Sequence, residues 1–271
     1  MNRCEENSKP PLAAAALIPW AEAGARAAFL GRAGGVSLGP YQSLNFASNC
    51  GDSSQAVAAN WQRLREFLRP SSGVVKLRQV HGNQVHRIGP GAAIAAPNGD
   101  QARELTGDGL VTAQANLALA VLTADCVPIL LYDPLRPAVG ALHAGWRGAL
   151  ANIAREGVRA ITALGARPHC IKAALGPAIG KCCFEIDQEL ADRFAARMPS
   201  ASSHLEAGRA GKARLDLKGL LRDQLVEAGL SPHAIMDVGP CTRCASDRYF
   251  SRRAARGGPT GLQASVIAMP S

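Results

Sequence analysis

Three side chains in this sequence are of types that ligate metals or attack substrates, and each sits beside residues that let a chain turn. His81 lies in Arg78-Gln79-Val80-His81-Gly82, Cys126 in Thr123-Ala124-Asp125-Cys126, and His143 in His143-Ala144-Gly145-Trp146-Arg147-Gly148. A thiolate and two imidazoles make a ligand set for zinc that leaves a fourth position for exchangeable water, as catalytic zinc sites do. An ion held this way lowers the pKa of its water to about 7. The same residues also permit metal-free chemistry, with Cys126 as nucleophile and His143 as its base. Asp125 could orient a partner or pass a proton in either scheme. Arg78 and Arg147 offer planar, forked donors to a phosphate or carboxylate.

Short apolar segments must position these groups. Leu117–Leu122, Val127–Tyr132 and Ala138–Leu142 are rich in Leu, Val and Ile and bounded by Pro and Gly, which predicts buried strands. Asp133-Pro134-Leu135-Arg136-Pro137 has turn composition, so the last two strands should form an antiparallel hairpin. Pairing Tyr132 with Ala138 sets Val127 across from His143, with Cys126 beside it. Facing residues in such a ladder lie about 4.5–5.5 Å apart at Cα, and a slip of one residue turns a side chain to the other face.

Upstream, Ala27–Leu30 reads as a strand, and Val57, Trp61, Leu64 and Leu68 mark one face of a helix capped by Asp52 or Ser53. Val74–Val80 and Val85–Ile88 are predicted to pair, and 89–101 to form an exposed loop. Downstream, one helix after Gly148 carries Leu150, Ile153, Val158 and Ile161. Then come a strand at Ile171–Leu175, helices capped by Asp187 and Asp216, a strand at Ile235–Val238, and closing segments Tyr249–Arg253 and Gln263–Ile267. Strands and helices mixed in this way, with a hairpin and no long linker, predict one α+β domain with mixed sheets over 16–271, behind a disordered start at 1–15.

The formal net charge is +9, with basic residues scattered rather than clustered, which argues against a nucleic-acid tail and suits a small anionic substrate. Eight cysteines, no secretory leader and no membrane-length apolar run predict a reducing, cytoplasmic setting. Cys241-Thr242-Arg243-Cys244 has the CxxC spacing, but no second pair is evident, and the adjacent Cys182-Cys183 reads as buried rather than ligating. His86, His169, His204 and His233 stand alone. Gly34-Gly35 lacks the lysine or the glycine spacing of a nucleotide-binding loop.

QVHG at 79–82, DGLVT at 108–112, LTADCVPILLYDP at 122–134, HAGWRG at 143–148, GPAIG at 176–180 followed by CCFE at 182–185, and TG at 260–261 together resemble a known family. It is the family called polyphenol oxidase or multicopper laccase-domain proteins, whose bacterial members are also called peptidoglycan editing factors. GGVS at 34–37, SLNF at 43–46 and GD at 51–52 fit its N-terminal pattern. The chain departs from that pattern at Leu262, where an arginine is expected after TG, at Phe250-Ser251-Arg252-Arg253-Ala254, and at Ser48-Asn49-Cys50.

The resemblance implies a single domain with mixed sheets, related in architecture to a toxin deamidase, and a metal site at His81, Cys126 and His143 holding one zinc per chain, with copper as the alternative ion. It implies phosphorolysis of adenosine, inosine and methylthioadenosine and hydrolytic deamination of adenosine. The partners are then purine nucleosides and phosphate; no nucleic acid and no membrane are expected as partners, and the oligomeric state is left open, a monomer being compatible. Ser37, Asn45 and Gln79 join Arg78 and Arg147 as candidate substrate- or phosphate-binding residues. A cysteine hydrolase or amidase of peptidoglycan precursors is the alternative, as is a copper-dependent polyphenol oxidase. The oxidase has a supply problem: a trinuclear copper cluster is dominated by imidazoles, and this chain has six histidines in all.

Overall fold

The computed structural model describes residues 14–20, 24–68, 73–89 and 105–269. In chain order the elements begin with β1 (Ala14–Ile18), β2 (Arg26–Leu30), α1 (Ser54–Leu68), β3 (Val74–Val75), β4 (Val85–Ile88) and β5 (Gly109–Thr112). Next come β6 (Ala118–Thr123), β7 (Val127–Asp133), β8 (Ala138–Ala144), α2 (Trp146–Leu150), α3 (Ile153–Thr162) and β9 (Lys172–Leu175). The last are β10 (Glu185–Asp187), α4 (Gln188–Arg197), β11 (Leu205–Ala207), β12 (Lys212–Leu215), α5 (Leu217–Glu227), β13 (Ile235–Asp237) and β14 (Gln263–Ala268).

One sheet runs β1-β2-β14-β6-β3, a second β13-β9-β7-β8-β5-β4, and a small third β10-β12-β11. The pairs β3/β6, β4/β5 and β9/β13 are parallel, while the hairpin β7/β8 is antiparallel. The fold is therefore α+β with mixed sheets. Phe29, Leu119, Val121 and Ile267 of the first sheet share a core with Leu110, Leu130, Tyr132 and Val139 of the second. The alternate residues Ile129, Leu131 and Leu142 pack instead with Ile153, Val158, Ile161 and Leu221 of the helices. On the far side, Val57, Trp61, Leu64 and Leu68 of α1 cover Leu30, Ala120 and Val266. Strands covered on both faces need apolar residues at every position, which is why these segments are continuous apolar runs without alternation. No helix among the described residues is long and apolar enough to cross a membrane.

The structure corrects several expectations. Tyr132 faces Val139 and Val127 faces Ala144, one step from the predicted register. Asp133 stays in the strand opposite Ala138, and its Oδ1 accepts from the amides of Leu135 and Arg136, so the turn needs only Pro134 to Pro137. The strand expected over 74–80 stops at Val75, and β4 pairs with β5 instead. Beyond Val75 the Gln79 side chain takes over the role of a strand, its amide bonded to both the N–H and the C=O of Leu122. Of the two closing segments, Gln263–Ile267 lies in β14, while Tyr249–Arg253 runs as bend and turn, with the Gln263 side chain bridging the N–H and C=O of Phe250. The single helix expected after Gly148 is two, since Asn152 adopts φ 60° and caps α3 through Arg155 N. Residues 14 and 15 belong to β1, while the rest of the expected disordered start and most of the loop at 89–101 lie outside the described residues.

Gly157 of α3 tests the packing between helix and sheet. Alanine normally favours a helix by about 0.8–1.0 kcal/mol over glycine. Here an added Cβ would lie 2.4 Å from Cδ1 of the fully buried Leu142. Overpacking of this kind costs about 1–3 kcal/mol, so Gly157→Ala should lower the midpoint of urea unfolding. A raised midpoint would mean that Leu142 has room to swing aside.

Candidate metal centre

The three candidate ligands meet at one end of the sandwich, on segments from different strands. The chain leaves the five-stranded sheet at Thr123, crosses through Ala124-Asp125-Cys126 and enters the six-stranded sheet at Val127. The crossing is tight: Asp125 has φ 90°, and its carbonyl accepts from Ile179 N at 2.8 Å. His143 lies near the end of β8 and pairs with Pro128. Extending that ladder by one step sets Cys126 across from Gly145, so Cys126 and His143 share a face diagonally. The predicted register would have parted them. A Cβ on Gly145 would come within 3.0 Å of Cys126 Sγ and 3.2 Å of His81 Cδ2. The missing side chain keeps that space open. His81 turns in from the segment before β4 with φ 62°.

One ligand atom from each of His81, Cys126 and His143 lies within 4.8 Å of the others. The two imidazoles meet edge to face, with centroids 4.7 Å apart. His143 Nδ1 stands 2.8 Å from Asp108 Oδ1, which directs Nε2 away from the carboxylate. Asp108 also accepts from His81 N at 2.8 Å and Gly82 N at 2.6 Å. Burial would raise its pKa, but the bonds from His143, Gly82 and His81 outweigh that and hold it below the usual carboxylate range. Burial also works against charge on Cys126 and His143, and again the neighbours prevail. His143 and His81 draw the Cys126 thiol down to about 6. Cys126 and Asp108 raise His143 to about 9. Both shifts favour a thiolate on Cys126 beside a charged His143, and the thiolate is the form that ligates a soft cation or acts as a nucleophile.

A cavity of about 370 Å³ opens onto these groups, within the roughly 300–1,000 Å³ typical of small-molecule sites. Its lining combines Phe46, Leu122 and Leu262 with the cationic Lys76, Arg78 and Arg252. Thr123 Oγ1, in the same wall, is buried without a hydrogen-bond partner.

The predicted site residues divide. Arg78 lines the cavity and donates to Thr106 Oγ1, and Gln79 lines it with its amide tied to Leu122. Asp125 faces the other way: Oδ1 accepts from Thr242 Oγ1 at 2.6 Å and Oδ2 from Arg253 N at 2.7 Å. Ser37 and Asn45 are buried outside the lining. Ser37 accepts from Asn60, while Asn45 Oδ1 accepts from the amides of Ala47 and Leu262 and so holds the cavity wall. Arg147, expected to bind phosphate, stacks on Trp146 at 4.4 Å in a separate open depression of about 880 Å³, because α2 starts directly after Gly145 and carries it outward. Sequence reasoning passed over Asp108, Thr123, Lys76 and Arg252. For Asp108 a signal existed, an acidic residue directly ahead of the short, mostly apolar run Gly109-Leu110-Val111.

A pH dependence follows from the lowered Cys126 pKa. In chelator-stripped protein, iodoacetamide labelling of Cys126 should rise through about pH 6 and level off above it, since the thiolate is the reacting form. Mass spectrometry of the labelled peptide reads the rate. A rise that continues to the ordinary thiol pKa of about 8.5 would show that the histidines do not stabilise the thiolate.

The family described as multi-copper polyphenol oxidoreductase laccase matches residues 26–270. A purine nucleoside phosphorylase of Corynebacterium glutamicum is 38% identical over 246 residues, covering 90% of this chain and 94% of that protein. One from Streptomyces coelicolor is 41% identical over 230 residues, covering 85% and 90%. The crystal structure of Bacillus licheniformis YfiH superposes with a TM-score of 0.84 at 33% identity, over 93% of this chain and 94% of that one. With sequence and fold in agreement along almost the full chain, the protein belongs to this laccase-domain family.

Proposed function

We propose that the protein is a zinc-dependent purine nucleoside phosphorylase that acts on adenosine, inosine and methylthioadenosine and also deaminates adenosine hydrolytically. The observation that carries the reading is one cavity holding the His81–Cys126–His143 cluster, three cationic side chains and an apolar wall. The phosphorylase names of the relatives support it.

His81, Cys126 and His143 supply three protein ligands of the kinds zinc prefers, and a bound zinc would add Lewis acidity and acidify water to a pKa of about 7. The chain's own residues do the rest. Phe46, Leu122 and Leu262 give the purine an apolar slot. Lys76, Arg78 and Arg252 neutralise the phosphate dianion. In phosphorolysis a phosphate oxygen bonds to C1′ as the C1′–N9 bond breaks, and the base leaves with the electron pair and takes up a proton. In deamination water adds at C6 and ammonia departs. Both reactions need the same nucleoside bound, so one cavity serves both. Asp125, held by Thr242 and Arg253, positions Cys126 and does not shuttle protons.

The lowered Cys126 pKa favours one second reading, a cysteine amidase of cell-wall precursors with Cys126 as nucleophile. A multicopper oxidase finds little support. Of the six histidines only His81 and His143 cluster, while His86 is bonded to Thr106 O and His204 to Asp223.

Incubation of metal-quantified protein with adenosine, then separation of products, tests these readings. Adenine and ribose 1-phosphate should form only with phosphate present, and inosine without it. Arg252→Ala should raise the phosphate KM by roughly tenfold, in proportion to one lost charge-assisted contact of about 1.4 kcal/mol. An acyl-enzyme on Cys126 with a cell-wall amide, and no turnover of nucleosides, would replace this reading with the amidase. Asp108→Asn, which leaves one acceptor oxygen for several donors, should weaken zinc binding by roughly 10–100-fold, read by competition with a chelating dye. Unchanged affinity would remove the orienting role of Asp108.

A further inference from the structure

The six-stranded sheet ends near a second cluster, which has no part in the cavity lining. Two turns face each other there. The first follows β9: Gly180 O accepts from the amides of both Cys183 and Phe184, which carries Cys182 and Cys183 past the turn. The second runs from Cys241 to Ala245, whose amide donates to Cys241 O. Thr242 N donates to Ala178 O, and a β-bridge joins Ala178 to Cys241, so the two turns are fixed to one another by backbone. This brings together four thiols from segments far apart in the chain, Cys183 and Cys244 being 61 positions apart. All four Sγ atoms lie within 4.8 Å of one another. Cys244 Sγ lies 3.4 Å from Cys183 Sγ and 3.8 Å from Cys182 Sγ.

These spacings match a tetrahedral zinc–thiolate site. With Zn–S bonds of about 2.3 Å, tetrahedral geometry puts sulfurs about 3.8 Å apart. Two further features belong to such a site. Backbone N–H groups of Gly180, Cys244 and Arg243 turn to the Cys241 sulfur, the kind of surrounding hydrogen bonding that stabilises thiolate charge. A Cβ on Gly180 would crowd Cys241 Cβ at 3.1 Å and Cys182 Sγ at 3.4 Å, so glycine is what lets the two turns close.

We propose that Cys182, Cys183, Cys241 and Cys244 hold a second, structural zinc ion, closed by four thiolates and independent of the His81–Cys126–His143 centre. Binding releases the thiol protons and leaves a double negative charge on the site, and the Arg253 guanidinium, which donates to the carbonyls of Cys183 and Glu185, braces the same turn. The ion clips the turn after β9 to the loop that follows Cys241. That loop carries Thr242 and Arg253, the two partners of Asp125, and Arg252 of the cavity wall. It thereby fixes one side of the cavity from behind.

The full chain with Cys126→Ser tests the site without touching it. Purified under reducing conditions and analysed for metals, this variant should retain one zinc per chain. Exchange of that zinc for cobalt(II) should produce thiolate-to-cobalt charge-transfer absorption, which the first cluster cannot supply once its only thiol is gone. Adding Cys244→Ser should remove that zinc and the absorption, while the same substitution in otherwise wild-type protein lowers the zinc content by one. If Cys244→Ser prevents folding, a thiol-specific mercurial titrated into the Cys126→Ser protein should release its zinc in step with the four thiols. A Cys126→Ser protein that folds but holds no metal, with the four thiols free or paired as disulfides by mass spectrometry, would overturn the proposal. That outcome would leave the nucleoside reading untouched, since its test concerns the other cluster.

Discussion

The candidate centre depends on a carboxylate that solvent does not reach. Asp108 is fully buried and takes hydrogen bonds from His143 Nδ1 and from the amides of His81 and Gly82, while its own carbonyl accepts from His143 N at 2.7 Å. One residue thus joins the segment before β4 to the end of β8. Removing one partner of a buried pair typically costs about 3–5 kcal/mol, because the remaining charge is left without compensation. The pH sign follows from its lowered pKa. This contribution is complete above the unfolded carboxyl value of about 3.9 and is lost as pH falls through the lower folded value. Acid should therefore loosen the candidate centre and the local fold together.

Two residues at the centre carry a conformational cost that these bonds offset. His81 at φ 62° and Asp125 at φ 90° hold left-handed backbone without being glycine, at about 1–2 kcal/mol each. The His81 amide is compensated by Asp108, and the Asp125 side chain by Thr242 and Arg253. Strain of this kind persists where the surroundings over-determine the geometry, and the gain here is that the imidazole and the thiolate emerge from opposite strand ends toward one point. Gly145 completes the arrangement by omission, since a side chain there would displace the Cys126 sulfur.

Much of this was legible in the residues. The apolar runs around Leu122, Leu130 and Leu142 became buried strands, and the Val57, Trp61, Leu64 and Leu68 stripe became the buried face of α1. His81, Cys126 and His143 were recognisable because each sits where an apolar run meets small or turning residues. What escaped was set by side chains acting in place of backbone. Gln79 and Gln263 bond to main-chain groups as a strand would, and no periodicity reports that substitution. The register slipped by one because Asp133 could belong either to the turn or to the strand, and its side chain decided for the strand. The four-cysteine cluster escaped for a different reason: Cys182-Cys183 reads as buried, yet Cys182 is exposed, and the pair meets Cys241-x-x-Cys244 through contacts between segments distant in the chain, the Ala178–Cys241 bridge among them.

The two clusters differ in ligand number and in access to the cavity. The His81–Cys126–His143 set has three donors and opens onto a cavity with cationic and apolar walls, so an ion there keeps room for a reacting molecule. The four-cysteine set has a complete donor shell and no share in that cavity lining, so an ion there can only brace. Asp125 stands between them. Its backbone precedes Cys126 of the first cluster, and its side chain accepts from Thr242 and Arg253 on the loop that follows Cys241. A carboxylate whose place beside Cys126 suggests a proton carrier is better employed as this link, because both of its oxygens are already committed to donors. The cavity then owes its shape to a chain of contacts running from the Cys241 turn through Thr242 and Asp125 to Cys126, each step a short hydrogen bond or a peptide bond.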